Sequence, residues 1–550
     1  MWPDLIGNSY FDEFKRAVTG GSYIANREQL MLMEYLEHTI LSRDDMYFNQ
    51  EMIEKYIRFS EKNFFPLALY QKFVSSFIFL YWKKNGRVVF REFFITLGRG
   101  GGKNGWMSTL GAFFISPLHG IDGYNATITA NSEDQAKMSF VEVYNTIQKK
   151  KLEKHYEAKK TEITGKATNS IFKYRTNNPK TMDSARDGCL FFDEVHQFED
   201  DSAVKVQRSG LGKIKNPRTF YFGTNGYVRD GFYDKQIERS MKILEGKTDR
   251  IGYFPFICRL DDIKEMERPE LWAKANPMFN ETSEYAAQVY DEVMEDYLDL
   301  EESPSGRQEF VIKRMNYTEG DGERDVAPYE QIKEAASMPL PELEGRSCTA
   351  GFDYASIRDF ASVGLLFKLD GKLIWMQHSY VRKGYLDEFK PKAPIKEWEG
   401  MGYLTIVDEP SIDPRHLVNW LVEKRERYQI EIVAADGFRM DLLKPLLEEE
   451  GFEYEFIRNP AGVQAKIAPI IEDGFANGRI NYCQDAMMKW YTNNTYVKED
   501  ARGNKQFLKK EPVRRKTDGF HAFIAALYKR DLINEYAIDD VLDMMDGLNF

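Results

Sequence analysis

Cysteine is scarce in this chain of 550 residues, which has only Cys189, Cys258, Cys348 and Cys483. Four cysteines so far apart form neither a disulfide framework nor the paired spacing of a zinc site. Long apolar runs are also missing, so the sequence predicts no membrane-spanning helix and no membrane partner. Residues 1–25 lack the basic start and apolar centre of a secretory signal. These absences favour a soluble, internal protein in a reducing compartment.

An excess of positive charge is absent as well. The chain has 87 acidic and 75 basic residues and a formal net charge of −12. Any contact with nucleic acid must therefore come from local basic stretches. One such stretch, residues 498–516, contains eight basic residues: Lys498, Arg502, Lys505, Lys509, Lys510, Arg514, Arg515 and Lys516. Taken alone, it fits a solvated hairpin as well as a contact with DNA.

The length predicts more than one domain, because a single core rarely grows beyond about 250–300 residues. In the first half, apolar segments alternate with helical patterns, which predicts a parallel sheet covered by helices; its strands are 88–97, 124–130, 189–193 and 219–223. A second α/β pattern has predicted strands at 347–354, 361–368, 372–380, 430–436 and 453–457. We predict five segments: a helical segment (1–60), an α/β domain (61–260), a lid or connector (261–344), a second α/β domain (345–532) and an acidic tail (533–550).

A glycine-rich turn, LGRGGGKNGW at residues 97–106, lies between a predicted strand and a predicted helix. Lys103 and the helix N-terminus can bind the phosphates of a nucleoside triphosphate. The backbone N–H groups that can do so are those freed by Gly98, Gly100, Gly101 and Gly102. The usual phosphate-loop pattern is broken by Leu97, in place of its first glycine, and by Asn104, in place of a hydroxyl that binds Mg²⁺. The segment alone also fits a glycine turn with a solvated lysine.

About ninety residues later, the apolar strand in GCLFFDEVHQ ends in two acids, Asp193 and Glu194. Ligands of α/β sheets bind at the carboxyl ends of strands, so both acids are expected near Lys103. Asp193 can hold the Mg²⁺ of Mg-ATP, and Glu194 can orient and deprotonate the attacking water. Two acids after a strand also fit a helix cap. Together with the glycine loop, they favour an ATPase.

Three weaker candidates complete the predicted nucleotide site. Thr224 follows the strand at 219–223 and can sense the γ-phosphate, although an ordinary Asn-Gly turn is an equal alternative. Gln71 in LALYQKF can read an adenine edge with Tyr70 available for stacking, or it is simply an exposed helical glutamine. Arg99 can offset charge on the γ-phosphate. The alternatives, donated by a neighbouring subunit, are Arg208 and Arg218.

Three aspartates mark a second site in the C-terminal half. Asp353 lies in the strand of TAGFDYAS, Asp436 ends the strand of IEIVAAD and Asp518 opens the last helix in KTDGFHAF. Carboxylates suit Mg²⁺ or Mn²⁺, and two such ions can catalyse phosphodiester cleavage. An RNase H-like fold supplies its acids from the first strand, the fourth strand and the last helix, which matches this order. Singly, each aspartate also fits a cap or turn. His521, one helical turn beyond Asp518, could approach the site, although a packed or exposed helix residue is the favoured interpretation.

The ordered set of motifs resembles the large terminase subunit of tailed bacteriophages over residues 61–530. The strings that carry the resemblance are LALYQKF, TANSEDQAK, GRGGGKN, CLFFDEVH, FGTNG, WAKANPMF, GFDYASIRDFAS and KTDGFHA. The resemblance implies a RecA/ASCE-like P-loop ATPase domain with a parallel sheet, followed by an RNase H-like nuclease domain with a mixed sheet. It assigns Mg-ATP to Lys103 and Asp193, catalysis to Glu194 and coupling to Thr224. Asp353, Asp436 and Asp518 would hold Mg²⁺ or Mn²⁺, while Asp359 falls in a family-like block without being predicted as a ligand.

Such a protein is expected to cleave concatemeric double-stranded DNA and drive it into a procapsid. The implied partners are double-stranded DNA, a portal protein, a small terminase subunit and further copies of the chain in a ring. The implied location is the host cytoplasm, with transient docking on the procapsid. Two alternatives remain: a helicase-like ATPase fused to a nuclease, since DEVH resembles a DEAH-type box, and a metal-dependent nuclease or integrase-like recombinase with a regulatory nucleotide site.

Overall fold

A computed structural model describes most of the chain; the described residues are 7–176, 186–198, 201–226, 231–302, 306–318, 325–389, 391, 393–437, 440–499, 503–510 and 515–535. The chain divides into two compact units, Met1–Glu319 and Gly320–Phe550. From residue 536 onward, the predicted acidic tail lies outside the described residues. None of the helices that could be described is both long enough and apolar enough to span a bilayer.

The first unit is built on an eight-stranded sheet with a small two-stranded ribbon beside it. Its strands are β1 (Met46–Phe48), β2 (Leu80–Trp82), β3 (Glu92–Thr96), β4 (Asn125–Ala130), β5 (Tyr156–Ala158), β6 (Glu162–Gly165), β7 (Ser170–Thr176), β8 (Asp187–Phe192), β9 (Arg218–Gly223) and β10 (Tyr253–Ile257). The large sheet has the order β10-β3-β9-β8-β4-β7-β6-β5. The six strands from β10 to β7 are parallel, and β6 and β5 are antiparallel additions.

Helices cover this sheet, as its continuous apolar strands require. They are α1 (Ser9–Thr19), α2 (Arg27–Tyr35), α3 (Gln50–Asn63), α4 (Leu69–Ile78), α5 (Lys103–Phe114), α6 (Glu133–Lys150), α7 (Ser202–Ser209), α8 (Phe232–Leu244), α9 (Glu284–Glu302) and α10 (Arg307–Lys313). Every residue of β3, β8 and β9 is buried. Since β9 lies between β3 and β8, the carboxyl ends of these three strands meet at one edge. That edge carries the predicted nucleotide residues.

The second unit contains a seven-stranded mixed sheet and a two-stranded hairpin. Its strands are β11 (Ser347–Asp353), β12 (Ala361–Leu369), β13 (Lys372–Arg382), β14 (Leu404–Val407), β15 (Gln429–Asp436), β16 (Tyr454–Ile457), β17 (Ile480–Asn481), β18 (Thr495–Glu499) and β19 (Lys505–Lys509). The sheet has the order β14-β13-β12-β11-β15-β16, with β17 beside β13. β12 is antiparallel to both its neighbours, whereas β15 is parallel to β11.

The helices of this unit are α11 (Tyr329–Ala335), α12 (Lys383–Phe389), α13 (Ile395–Gly400), α14 (Arg415–Arg425), α15 (Met440–Glu449), α16 (Pro460–Ala476), α17 (Ala486–Asn493) and α18 (Asp518–Tyr528). Helix α18 packs tightly on β11, since a Cβ added to Gly351 would lie 2.0 Å from the carbonyl oxygen of Ala522. Only glycine permits this close approach. The contact places the start of α18 beside the end of β11.

The predicted α/β fold class is confirmed, with a largely parallel sheet first and a mixed sheet second. One detail of the prediction is wrong. Asp436 ends the fifth strand of the second unit in chain order and not the fourth, because β14 (Leu404–Val407) precedes it. Strand β14 is added at the edge of the sheet, beside β13, so β15 still lies next to β11. The neighbouring strand ends predicted for the acids are therefore preserved.

Candidate functional site

The predicted phosphate loop joins the end of β3 to the start of α5. Gly100 and Gly102 have φ angles of 92° and 78°, a region that favours glycine. A Cβ added to Gly101 would lie 1.9 Å from Leu97 Cδ1, so the Leu97 side chain would have to move to admit one. Helix α5 begins at Lys103, directly after the loop. The loop thus leads straight into a helix N-terminus, where the helix dipole favours an anion.

Lys103 and Thr224 are brought together as the sequence predicts. The Lys103 side chain is only 8 % exposed, and its ammonium group donates a hydrogen bond to Thr224 Oγ1. Thr224 Oγ1 in turn donates to the carbonyl oxygen of Leu97 at 2.9 Å. The tip of β9 is therefore hydrogen-bonded to both ends of the phosphate loop.

Asp193 and Glu194 follow β8 at the same edge of the sheet. Asp193 is buried, and its Oδ1 accepts a hydrogen bond from the backbone N–H of Glu194 at 2.9 Å. Burial, together with the charge of Glu194, raises the pKa of Asp193 to about 7, against the opposing effect of Lys103. A bound cation would favour the charged carboxylate, so this position suits a metal ligand.

Glu194 has a different electrostatic environment. Its φ angle of 50° is unusual for a residue with a side chain. Burial acts to raise the pKa of Glu194, but the positive charge of Lys103 and the contact with His196 outweigh it, and the pKa is lowered. The carboxylate is therefore charged at neutral pH. Of the two acids, Glu194 is the one equipped to accept a hydrogen bond from water.

The adenine prediction is altered in one respect. The ring of Tyr70 is completely buried and stacks on Phe256 at 5.9 Å, so Tyr70 is not available to stack on a base. Its hydroxyl donates to the carbonyl oxygen of Gly101 at 2.5 Å. Gln71 is buried and not exposed; its Oε1 accepts from the N–H of Ala68 at 3.0 Å, while its Nε2 has no hydrogen-bond partner in the described structure. That amide is 3.3 Å from a Cβ built on Gly102, so Gln71 offers a donor beside the loop.

Asn104 and the arginines are placed as follows. Asn104 is partly buried, and its amide contacts Met138 Sδ at 3.7 Å. Arg99 is 59 % exposed in its side chain and lies 4.0 Å from Glu309, so it is accessible on the loop.

The two alternative arginines, Arg208 and Arg218, make contacts within the first unit. Arg218 is completely buried and donates to the carbonyl oxygen of Ile78 and to Tyr124 Oη, so its interpretation as a group donated to a neighbouring subunit is wrong. Arg208 pairs with buried Glu92 at 3.0 Å. Glu92 is the first residue of β3, at the opposite end of the strand from the phosphate loop.

The sequence did not reveal two residues near the acids of this site, His196 beside Glu194 and Lys313 beside His196. His196 Nδ1 lies 3.1 Å from Glu194 Oε2. On the other side of the ring, Lys313 Nζ lies 2.9 Å from His196 Nε2 and donates to the carbonyl oxygen of Asn225 at 3.1 Å. Burial lowers the pKa of His196, and it lowers the pKa of Lys313 to about 8. His196 is visible in the DEVH string, whereas nothing in the local sequence of Lys313 indicates a role.

In the second unit, the three predicted aspartates line one cavity of about 440 Å³. Asp353 ends β11, Asp436 ends the adjacent parallel strand β15, and Asp518 is the first residue of α18. Asp518 is buried, and its Oδ2 has no hydrogen-bond partner in the described structure. The cavity is also lined by a fourth aspartate, Asp359, and by Gln464, Lys509 and His521, among others.

The acidic groups in this cavity raise one another's pKa values. Burial raises the pKa of Asp353 to about 7, with smaller contributions from Asp359 and Asp436. Burial and Asp359 also raise the pKa of Asp518 well above its usual value. Within the described ranges, no three His, Cys, Asp or Glu side chains are close enough to form a ready metal shell. The aspartates thus share a cavity, but their carboxylates are not gathered into a coordination sphere.

Asp359 and the basic stretch meet at this cavity. Residues 495–499 and 505–509 form the antiparallel strand pair β18–β19, and Lys509 is its last strand residue. Lys509 pairs with Asp359 and lies 3.6 Å from Asp518 Oδ1. Asp359 also pairs with Lys516 at 3.0 Å. Two members of the predicted basic stretch, Arg502 and Arg514, lie outside the described residues.

His521 lies one helical turn after Asp518 on α18 and lines the same cavity. Burial lowers its pKa to about 4, and the charge of Lys509 acts in the same direction. The imidazole is therefore neutral at physiological pH. The prediction of a packed helix residue fits, and the ring additionally borders the candidate metal site.

Comparison with known proteins gives two matches to family models. Residues 69–242 match the model described as the ATPase domain of the terminase large subunit, and residues 247–532 match the model described as its endonuclease domain. The second match begins before β10 (Tyr253–Ile257), although β10 pairs with β3 in the sheet of the first unit.

Individual relatives are distant. The chain is 24 % identical to the terminase large subunit of Lactococcus phage p2 over 434 residues, which are 76 % of this chain and 78 % of that protein. It is 23 % identical to protein YmfN of Escherichia coli K12 over 363 residues, covering 63 % of this chain and 78 % of that one. Among solved structures, the large terminase of bacteriophage HK97 has a TM-score of 0.48 at 17 % identity, covering 87 % of this chain and 99 % of that chain.

Proposed function

The chain belongs to the terminase large subunit family of phage DNA-packaging motors with ATPase and nuclease domains, and we propose that it moves double-stranded DNA into a procapsid and cuts concatemers. The observation that supports this best is the pair of sites, one in each unit: Lys103 beside Thr224 at a phosphate loop, and three aspartates lining one cavity. The first site hydrolyses ATP. The second cleaves the DNA.

In the ATPase site, we propose that the basic groups bind the phosphates and the acids bind the metal ion and the attacking water. Lys103 and the N–H groups of the phosphate loop bind the β- and γ-phosphates. Asp193 would hold Mg²⁺, which supplies neutralisation of phosphate charge when it is bound. Glu194 accepts a hydrogen bond from the attacking water and orients it. Thr224 links the phosphate loop to β9, Gln71 reads the adenine, and Arg99 offsets charge at the γ-phosphate. Asn104 is proposed at the nucleotide site, in the position where the usual pattern has a hydroxyl that binds Mg²⁺.

In the nuclease site, Asp353, Asp436 and Asp518 would hold Mg²⁺ or Mn²⁺. Carboxylate oxygens are suitable ligands for these ions. Asp518 Oδ2 is buried and has no hydrogen-bond donor in the described structure, so a metal ion would supply the partner that it lacks. When bound, two ions supply an activated water and a stabilised leaving oxygen in phosphodiester cleavage. Because the carboxylates are not yet gathered, we propose that the site closes when ions and DNA bind.

The division of the chain follows from these roles. We propose residues 61–260 as the ATPase domain, 261–344 as the lid or connector, and 345–532 as the nuclease domain, with the segments 1–60 and 533–550 outside the catalytic parts. The hairpin β18–β19 would contact DNA phosphates beside the nuclease site. The portal protein, the small terminase subunit and a ring of copies are the proposed partners. The host cytoplasm, with docking on the procapsid, is the proposed location.

The second unit argues against the helicase alternative. A helicase of that class closes a second RecA-like domain on the nucleotide. The second unit here has instead an antiparallel start, β11 to β13, followed by parallel β15 and β16. This is the strand arrangement of an RNase H-like sheet.

The experiment that tests the proposal separates the two sites by single substitutions. ATP hydrolysis and Mn²⁺-dependent plasmid cleavage are measured for the full chain and for the variants Glu194→Gln and Asp436→Asn. Glu194→Gln should abolish ATP hydrolysis and largely preserve cleavage; Asp436→Asn should do the reverse. If either variant loses both activities while remaining folded, or keeps both, the assignment of two separate sites is wrong.

A further inference from the structure

Lys313, the last residue of α10, connects three parts of the nucleotide site. Its ammonium group lies 2.9 Å from His196 Nε2 and donates to the carbonyl oxygen of Asn225, the residue after Thr224, at 3.1 Å. Its own carbonyl oxygen accepts a hydrogen bond from the N–H of Arg99 in the phosphate loop at 2.8 Å. A single residue of the connector therefore contacts the phosphate loop, the tip of β9 and the segment after β8.

The hydrogen-bonding capacity of these groups determines the state of His196. An ammonium group is a donor only, so His196 Nε2 must accept from Lys313. In the neutral ring, the proton is then on Nδ1, the atom that lies 3.1 Å from Glu194 Oε2. Lys313 thus selects the tautomer of His196 in which the nitrogen nearer to Glu194 carries the proton. In the described structure this nitrogen and Glu194 Oε2 are 3.1 Å apart but do not form a hydrogen bond of good geometry, so a small adjustment of either side chain completes it.

The imidazole has little freedom to turn away from this arrangement. A Cβ added to Gly226 would lie 2.5 Å from His196 Cδ2, so the backbone after β9 packs directly against the ring. His196 is itself only 6 % exposed. The ring of His196 is therefore held by packing against Gly226 and by its contact with Lys313, with Nδ1 close to Glu194.

We propose that Lys313 is a positioning residue for ATP hydrolysis, which orients Glu194 through His196 and makes hydrolysis depend on the docked connector. The inference rests on the proposed role of Glu194. Outer partners that fix a ring tautomer and a carboxylate orientation are known to matter at catalytic sites. Lys313 acts on the chemical step without binding the nucleotide.

The neighbouring contacts explain why the position of the connector matters. Asn316 Oδ1, three residues after Lys313, accepts from the N–H of Asn225 at 2.6 Å, and Asn316 Nδ2 donates to Thr96 Oγ1 at 3.0 Å. The stretch from Lys313 to Asn316 thus binds the ends of both β3 and β9. When it moves away, Lys313 leaves His196, and the orientation of Glu194 is released.

The test uses the full chain with the variants Lys313→Met, Lys313→Gln and His196→Ala, together with the double variant Lys313→Met/His196→Ala. Lys264→Met, at an exposed lysine elsewhere in the connector, is the matched control. The kcat and KM for ATP are measured, and a fluorescent ATP analogue reports nucleotide affinity. Plasmid cleavage and thermal melting report folding.

Lys313→Met should lower kcat by at least about 10-fold and change affinity for the analogue by less than about 3-fold. Lys313→Gln, which keeps a neutral donor, should retain more activity than Lys313→Met. The double variant should be no slower than His196→Ala alone, because both residues act through one path. Lys264→Met should match the unmodified chain.

Three results would overturn the inference: an unchanged kcat in Lys313→Met, multiplicative losses in the double variant, or a loss of affinity equal to the loss of kcat/KM. If Lys313→Met unfolds, Lys313→Gln and His196→Ala decide the same question through their kcat values. Failure of the proposed function is recognised separately, because Glu194→Gln would then hydrolyse ATP at the unmodified rate.

Discussion

The ammonium nitrogen of Lys509 lies 3.6 Å from Asp518 Oδ1, so a cation of the β18–β19 hairpin is placed inside the acidic cavity of the second unit. The same group pairs with Asp359, and it acts to lower the pKa of Asp353. In this arrangement, Lys509 offsets part of the charge that metal ions would otherwise neutralise.

Removal of that cation should make the second unit depend on metal. Lys509→Met is expected to lower the free energy of unfolding by about 1–3 kcal/mol at pH 8 without metal, because Asp359 and Asp518 lose a partly buried cation. Added Mn²⁺ should recover most of the loss in a thermal melt. Lys505→Met, which breaks only the exposed pair with Glu472, should change stability by less than about 1 kcal/mol. A Lys509→Met protein as stable as the unmodified chain would contradict this account.

The pKa of Asp353 predicts a pH dependence of metal binding. Its folded-state pKa is raised to about 7, above the value of about 3.9 for an unfolded chain. The contribution of this group to stability is therefore complete below about pH 4 and is lost as the pH rises through 7. Metal ions bind the deprotonated carboxylate, so the rise in Tm caused by Mn²⁺ should be larger at pH 8 than at pH 6.

A buried aspartate away from the cavity provides the control. Burial raises the pKa of Asp485 to about 6, but Asp485 does not line the metal cavity. Asp485→Asn should change the pH dependence of stability in metal-free protein and leave the pH dependence of the Mn²⁺ increment intact. An equal increment at pH 6 and pH 8 in the unmodified chain would argue against Asp353 as a ligand.

The hydroxyl of Thr224 should be required for turnover. Thr224→Val keeps the shape of the side chain but removes the oxygen that accepts from Lys103 and donates to Leu97. We expect kcat for ATP to fall by about 10-fold or more. Thr224→Ser keeps the oxygen and should stay within about 3-fold of the unmodified rate. If Thr224→Val and Thr224→Ser hydrolyse ATP at equal rates, the Thr224 hydroxyl has no role in turnover.

Asn316 should stabilise the first unit through its side chain. Its amide makes hydrogen bonds to the N–H of Asn225, to Thr96 Oγ1 and to the carbonyl oxygen of Cys258. Asn316→Ala leaves buried groups without partners and should lower the free energy of unfolding by about 2 kcal/mol or more in a denaturant titration. The control is Asn169→Ala, since Asn169 has the same unusual backbone, with φ of 50° against 51° for Asn316, but an exposed side chain. If both variants lower the free energy of unfolding equally, the effect comes from the backbone conformation and not from the hydrogen bonds of the Asn316 side chain.

The strand ends were predictable because parallel strands that are buried on both faces appear in the sequence as short continuous apolar runs. The apolar runs before Asp193 and Asp436 predict strands, and parallel strands place their carboxyl ends at one edge. The phosphate loop was also predictable, because its turn requires positive φ angles at two positions and the sequence has glycine at both. Sequence alone therefore predicted which acids lie at these strand ends, while their roles stay predictions.

Contacts between distant segments were not predictable. Lys313 is far along the chain from Glu194, and a lysine at the end of a helix is ordinarily a solvated residue. Tyr70 and Arg218 were misread for a related reason: their side chains look exposed or functional in the sequence, but the fold uses both as buried hydrogen-bond donors. Strand β14 was missed because its four residues carry little pattern of their own.

Two backbone N–H groups of the phosphate loop, those of Gly98 and Arg99, are already hydrogen-bonded to the connector carbonyls of Ala275 and Lys313. Thermodynamic linkage then imposes a reciprocal relation: a nucleotide that favours one position of the connector must bind with an affinity that this position alters by the same factor. A displacement of Ala275 and Lys313 away from the loop would accordingly change the affinity for nucleotide by that same factor.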